Sequence, residues 1–217
     1  MTTIAFDGTT LATDRRSSRP TPDNVHCPKC EEDITHTGQE TNKIYLPKGA
    51  SFKGSKVYAI ASMGAQVTST GLKTCIAGGI DLDTANTMLK AFQSTGSFTP
   101  YGGVAVWCEK GFYEVMLHKN KLKVTEITKF PYTVGSGGDL AKMSMELLGA
   151  DPDMAVAIAS RYDIGSGGGV NLVMLDDAGE PKRSEKTIST EEMDLYKHPK
   201  PVPKPSAKPR AKTGNGK

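Results

Sequence analysis

The second residue of the chain is a threonine, and its position matters as much as its type. A threonine hydroxyl is a weak nucleophile at neutral pH and needs a base within hydrogen-bond reach. An α-amine, with a reference pKa of about 7.7–8.0, can be that base on the same residue. Met1 precedes a small side chain, which is what methionine removal requires. As the first residue, Thr2 would hold both groups, nucleophile and base; a threonine after an initiator methionine is common, and by itself it carries no function.

Three further segments have spacings that bear on chemistry. Val134-Gly135-Ser136-Gly137-Gly138 stands ahead of a helical pattern. Helix N-termini attract anions, so a phosphate cradle is one reading; the segment lacks the Lys-Ser/Thr ending of a P-loop and the full dinucleotide spacing. Asp163 and Ser166 open a second glycine-rich run, 165–169, for which a plain turn is the alternative. His26, Cys27, Cys30 and His36 have the residue types for one tetrahedral Zn²⁺, two thiolates and two imidazoles. No second Cys-x-x-Cys accompanies them, and a loop with unligated thiols is the competing reading. A zinc there would staple the loop without joining the chemistry, and no cofactor is required for catalysis.

The elements that must position these residues follow from pattern. Short β-prone runs on either side of Asp7-Gly8 predict a hairpin at the chain's first residues, which ties the terminus down. Residues 17–41, polar and rich in proline, read as an inserted loop. Strands are predicted at 43–46 and 56–61, the latter running to Met63-Gly64, with a turn at 47–54. Weaker patterns cover 65–77 and 82–94, where Asp83 or Thr84 would cap a helix carrying Met88, Leu89 and Phe92. Strands at 104–108, 112–117 and 122–128 follow. A helix at 140–148 sets Met143, Leu147 and Leu148 on one face; another starts at Asp151 or Asp153 and runs to 159. A buried strand covers Val170–Leu175. This order suggests two antiparallel sheets between helical layers, an α+β fold.

Composition narrows the partners. Of 217 residues, 37% are apolar and 24% charged, an ordinary globular balance. The formal charge of +3 hides an asymmetry: residues 1–196 carry 20 basic against 24 acidic side chains, a net of −4, while 197–217 hold seven Lys or Arg and no acid. No nucleic-acid partner is expected of the folded part. Proline at nearly every second or third position from His198 predicts an extended, disordered Pro/Lys-rich tail at 197–217, following one domain at 1–196. No apolar run reaches the roughly 18–20 residues of a membrane span, and no secretory signal opens the chain, so no membrane is expected and a cytoplasmic location is. Four cysteines do not make a disulfide scaffold.

Several of these segments, taken in order, resemble one family. Thr2-Thr3-Ile4 with Asp7-Gly8 and Ala12-Thr13-Asp14-Arg15-Arg16, Lys43-Ile44-Tyr45, Lys56-Val57-Tyr58-Ala59 leading to Met63-Gly64, Thr133 to Gly138, and Asp163-x-x-Ser166-Gly167 are similar to proteasome β subunits and to the peptidase subunit of the bacterial ATP-dependent relative. The resemblance spans residues 2 to about 175. It implies an Ntn-hydrolase fold, a four-layer α-β-β-α sandwich, and threonine-type endopeptidase activity through an acyl-Thr2 ester. It further implies that Lys43 is held by Asp14 beside Thr2, that Ser136, Asp163 and Ser166 form a network around the terminal amine, and that the N–H of Gly64 stabilises the oxyanion, with Gly78-Gly79 as the other candidate. Peptides or unfolded proteins would be substrates, a homo-oligomeric ring the assembly, and an ATPase unfoldase a partner.

The sequence also departs from the family's pattern. The first hairpin is about four residues shorter than is typical, which could shift Asp14 relative to Lys43, and 17–41 and 47–55 are longer. A proteasome-like ring or scaffold protein without turnover and an Ntn amidohydrolase acting on a small amide are the alternatives.

Overall fold

The computed structural model describes the backbone of residues 2–26, 33–93, 101–118, 121–163 and 166–188, and the side chains of these except 17–40, 92 and 93. The chain enters a strand at once. β1 (Thr3–Phe6) pairs antiparallel with β2 (Thr10–Asp14), Ile4 opposite Thr13 and Phe6 opposite Leu11. Asp7 closes the turn by accepting the backbone N–H groups of Thr9 and Thr10 at 2.7 Å each, as the Asp-Gly signal predicted.

β3 (Arg16–His26) and β4 (Asp33–Glu40) pair only with each other among the described residues. The reading of 17–41 as a loop is thereby corrected to a two-stranded hairpin. Val25 lies opposite Ile34, and the β-branched Thr21, Thr35 and Thr37 add strand propensity that the prolines obscured.

Two sheets carry the rest. β5 (Ile44–Tyr45), the short β6 (Ser51–Phe52), β7 (Ser55–Gly64), β8 (Tyr101–Cys108), β9 (Gly111–His118) and β10 (Lys121–Ile127) form one, in the order β10-β9-β8-β7-β5 with β6 folded onto the start of β7. β11 (Tyr132–Gly135), β12 (Val170–Leu175) and β13 (Pro181–Lys186) join the first hairpin in the order β11-β1-β2-β12-β13. All pairings are antiparallel. β11 and β13 were not predicted: β11 has only four residues, and β13 is a mostly exposed edge strand without apolar alternation.

Three apolar clusters hold these parts together. Ile4, Phe6, Leu11 and Val173 from one sheet meet Ile44, Ala59, Met63, Trp107 and Phe112 from the other, and the Phe6 and Phe112 rings stack with centroids 4.3 Å apart. α1 (Gln66–Ala77) and α2 (Leu82–Gln93) bury Leu72, Ile76 and Leu89 against Ile60, Val104, Val106 and Val115. α3 (Gly138–Leu148) and α4 (Pro152–Tyr162) bury Ala141, Ala155 and Ala159 against Ala5, Ala12 and Leu172. β1 is thus covered on both faces and paired on both edges, which is why all four of its residues are buried.

One helix prediction needs correction, and one helix face lies toward solvent. Asp81, not Asp83 or Thr84, caps α2: its carboxylate accepts the backbone N–H groups of Asp83 and Thr84. On α3, Met143 and Leu147 are 56% and 67% exposed. The buried face is Ala141 and Ser144, because α3 and α4 approach a sheet face of alanines and small side chains allow the closer contact.

Candidate active site

Thr2 leads into β1 and is 4% exposed. Its neighbour Thr3 pairs with Gly135, the last residue of β11. Gly135 has φ +101°, and a Cβ there would lie 1.7 Å from the Thr2 carbonyl oxygen. Only glycine lets β11 approach the start of the chain this closely.

Asp14 and Lys43 meet beside this terminus. Lys43 Nζ donates to Asp14 Oδ1 at 2.8 Å, with the side chains 7% and 0% exposed. Asp14 Oδ1 also accepts the Thr3 N–H at 2.7 Å, and Oδ2 accepts the N–H groups of Arg16 at 3.1 Å and Gly167 at 3.3 Å. Burial raises the Asp14 pKa above the free-carboxyl value, against the opposing pull of Lys43 and the backbone donors. Burial likewise lowers the Lys43 pKa below that of a free ammonium, although the Asp14 charge opposes it.

Ser136 Oγ and Ser166 Oγ both donate to Asp163 Oδ2 at 2.6 Å. Ser166 Oγ also lies 2.6 Å from Thr3 Oγ1. A serine has one proton, and Ser166 commits it to Asp163, so Thr3 is the donor in that second bond. The Thr3 hydroxyl is thereby engaged in a relay, Thr3 to Ser166 to Asp163. Ser166 is 1% exposed, whereas Ser136 is exposed.

A cavity of about 820 Å³ opens here, lined among others by Thr2, Lys43, Gly64, Gly135 and Ser136. Gly64 ends β7 with φ +72° opposite Gly102, and a Cβ on it would sit 2.7 Å from the Gly102 Cα. Its alternative, Gly78-Gly79, stands at the far end of α1, where the Gly78 N–H closes the helix on Thr74. Thr2, Asp14, Lys43, Gly64, Ser136 and the Asp163/Ser166 loop therefore come from six places in the sequence to one neighbourhood.

The phosphate-cradle alternative finds no room. A Cβ at Gly137, the N-cap of α3, would lie 2.2 Å from Thr3 Oγ1 and 3.3 Å from the Asp163 carboxylate, so this helix end faces a hydroxyl and an acid. Cys27 and Cys30 lie outside the described residues. The hairpin register sets His26 opposite Asp33 and His36 opposite Pro20. Sequence reasoning missed Thr3 and the Gln66, Ser69, Thr70 and Lys73 lining from α1; their i, i+3, i+4, i+7 spacing was the available signal.

No protein-family model matches the chain, and no curated protein sequence does either. Its structure is similar to solved ones. Anbu (ancestral beta-subunit) from Hyphomicrobium sp. strain MC1 matches with a TM-score of 0.56 at 12% identity, over 90% of this chain and 91% of that one. The helical assembly of the Anbu complex from Pseudomonas aeruginosa gives 0.55 at 13% identity, covering 91% of each chain. Thiobacillus denitrificans BPH in complex with epoxomicin gives 0.50 at 16% identity, over 79% of this chain and 95% of that one. At such identities it is the fold that is shared, and that fold is the proteasome β type.

Proposed function

We propose that the chain is a threonine-type peptidase in which removal of Met1 exposes Thr2 as the nucleophile. The observation that carries this reading is the convergence on Thr2 of the Asp14–Lys43 pair, the Ser136–Asp163–Ser166 network and the Gly64 backbone around one cavity. In the proposed reaction the Thr2 α-amine takes the proton from Oγ1 as that oxygen bonds to the scissile carbonyl carbon. The Gly64 N–H faces the oxyanion that forms; losing one such donor typically costs about 100- to 1,000-fold in rate. The C–N bond then breaks, the amine passes the proton to the leaving nitrogen, and water cleaves the acyl-Thr2 ester to free the hydroxyl. Lys43, as a cation, lowers the hydroxyl pKa and disfavours protonation of the amine. The Ser136, Asp163 and Ser166 network orients the amine and helps the proton return.

The same reading includes a four-layer α-β-β-α arrangement, supported by the cluster between the sheets and one beneath each helix pair. It includes a homo-oligomer, supported by the helical assembly of the Anbu relative, and sensitivity to peptide epoxyketones, supported by the epoxomicin complex of BPH. Peptides or unfolded proteins are the substrates, and an ATPase feeding them is a further partner. No helix among the described residues is long and apolar enough to cross a membrane. Thr2→Ala tests the core of this account: hydrolysis of small peptide amides should disappear with the circular dichroism spectrum unchanged. Full turnover in that variant would exclude Thr2 as nucleophile.

A further inference from the structure

α1 forms part of the cavity wall with Gln66, Ser69, Thr70 and Lys73, which share one helix face. The stripe begins two residues beyond Gly64 and ends about 10 Å further along the axis. Other lining residues add the hydroxyls of Thr41 and Ser62 and the amide of Asn42. None of the described residues lining the cavity is Asp or Glu, and two are lysines.

The two lysines differ in what balances them. Lys43 is paired with Asp14 at 2.8 Å. Lys73 has no carboxylate at ion-pair distance among the described residues, and its ammonium stands 5.7 Å from the centroid of the Tyr45 ring. A ring face steadies a cation without cancelling its charge. The cavity wall therefore carries, in the half-buried Lys73, one lysine without a paired carboxylate among the described residues.

We infer that this cavity selects peptides with an acidic residue on the acyl side of the cleaved bond, glutamate above all, and that Lys73 binds its carboxylate. The inference rests on the reading of Thr2 as nucleophile and adds the substrate class to it. A carboxylate entering beside Thr2 meets Lys73 and the hydroxyl and amide donors of the wall, which replace the water it gives up. A leucine could pack on Met63, Ala65, Met116 and Val134, but against the α1 wall it would leave the polar groups unpaired, which costs affinity. A lysine would face a like charge. Glutamate is favoured over aspartate because Lys73 sits at the far end of the stripe from Gly64.

The test uses the full chain and three peptide amides that differ only in the residue before the cleaved bond: Glu, Leu or Lys. The wild type should show kcat/KM for the Glu peptide at least about tenfold above the Leu peptide, the equivalent of about 1.4 kcal/mol. Lys73→Met should bring the Glu/Leu ratio close to one, Lys73→Glu should turn the preference to the Lys peptide, and Lys73→Arg should preserve it. A Leu-preferring wild type, or an unchanged ratio in Lys73→Met, overturns the inference. If the Leu peptide is cleaved, Thr2→Ala abolishes that cleavage and Glu is not preferred, the nucleophile reading stands and this inference alone fails. If the wild type cleaves none of the three, the nucleophile reading fails and takes this inference with it.

Discussion

Asp14 and Lys43, 29 positions apart in sequence, form a buried ion pair at 2.8 Å. Most of the interval is the β3–β4 hairpin, which leaves at Arg16 and returns opposite it at Glu40. Its base is closed by the Thr41 N–H on the Arg15 carbonyl at 2.7 Å. A hairpin whose two ends meet can take any length without moving its anchors, so the insertion does not disturb the pair. Nor does the short first hairpin, because β2 delivers Asp14 in register with Val170 on β12.

Asp14→Asn should destabilise the protein by about 3–5 kcal/mol, since it leaves the Lys43 charge buried without a counter-charge. Adding Lys43→Met to that variant should recover part of the loss, because the stranded charge goes with it. Urea unfolding of the wild type, the two single variants and the double variant measures both effects. Additive losses would mean that the two residues do not act as a pair.

The pair also sets an alkaline limit on activity. Catalysis as proposed needs Lys43 charged, and burial lowers its pKa below the ordinary lysine value of 10.5. On raising the pH, the ammonium therefore loses its proton before a free lysine would, and kcat/KM should fall below pH 10.5. In Lys43→Arg, whose guanidinium stays protonated, whatever activity remains should lack that fall. A wild-type profile still flat at pH 10.5 would separate Lys43 from the chemistry.

Ser166 and Ser136 bond to the same carboxylate oxygen but should respond differently to truncation. Ser166→Ala leaves the buried Thr3 hydroxyl without its acceptor and the half-buried Asp163 short of a donor, at about 1–3 kcal/mol of stability. Ser136 is exposed, so Ser136→Ala should lower the rate while shifting the unfolding midpoint little. Equal stability losses in the two variants would contradict the relay described for Thr3.

The start of the chain was legible because the Asp7-Gly8 turn and flanking β-prone runs are local signals; the strand predicted at 43–46 shrinks to Ile44–Tyr45, so Lys43 stands just before it rather than on it. The Gly64 alternative was open because β7, α1 and the approach of Gly102 are non-local: nothing near residue 64 in sequence announces that residue 102 closes on it. The buried side of α3 was not legible, because helical spacing marks which residues share a face but not which face meets a sheet of alanines. Thr3 went unnoticed because its role depends on Ser166, 163 positions away. The hairpin at 17–41 was hidden by the prolines that break its pattern.

The most direct measurement is intact-mass and peptide-mapping spectrometry of the purified protein before and after exposure to a peptide epoxyketone. The account predicts a chain lacking Met1 and an adduct confined to the peptide that begins at Thr2. A retained Met1, or an N-terminal peptide that stays unmodified, would contradict it.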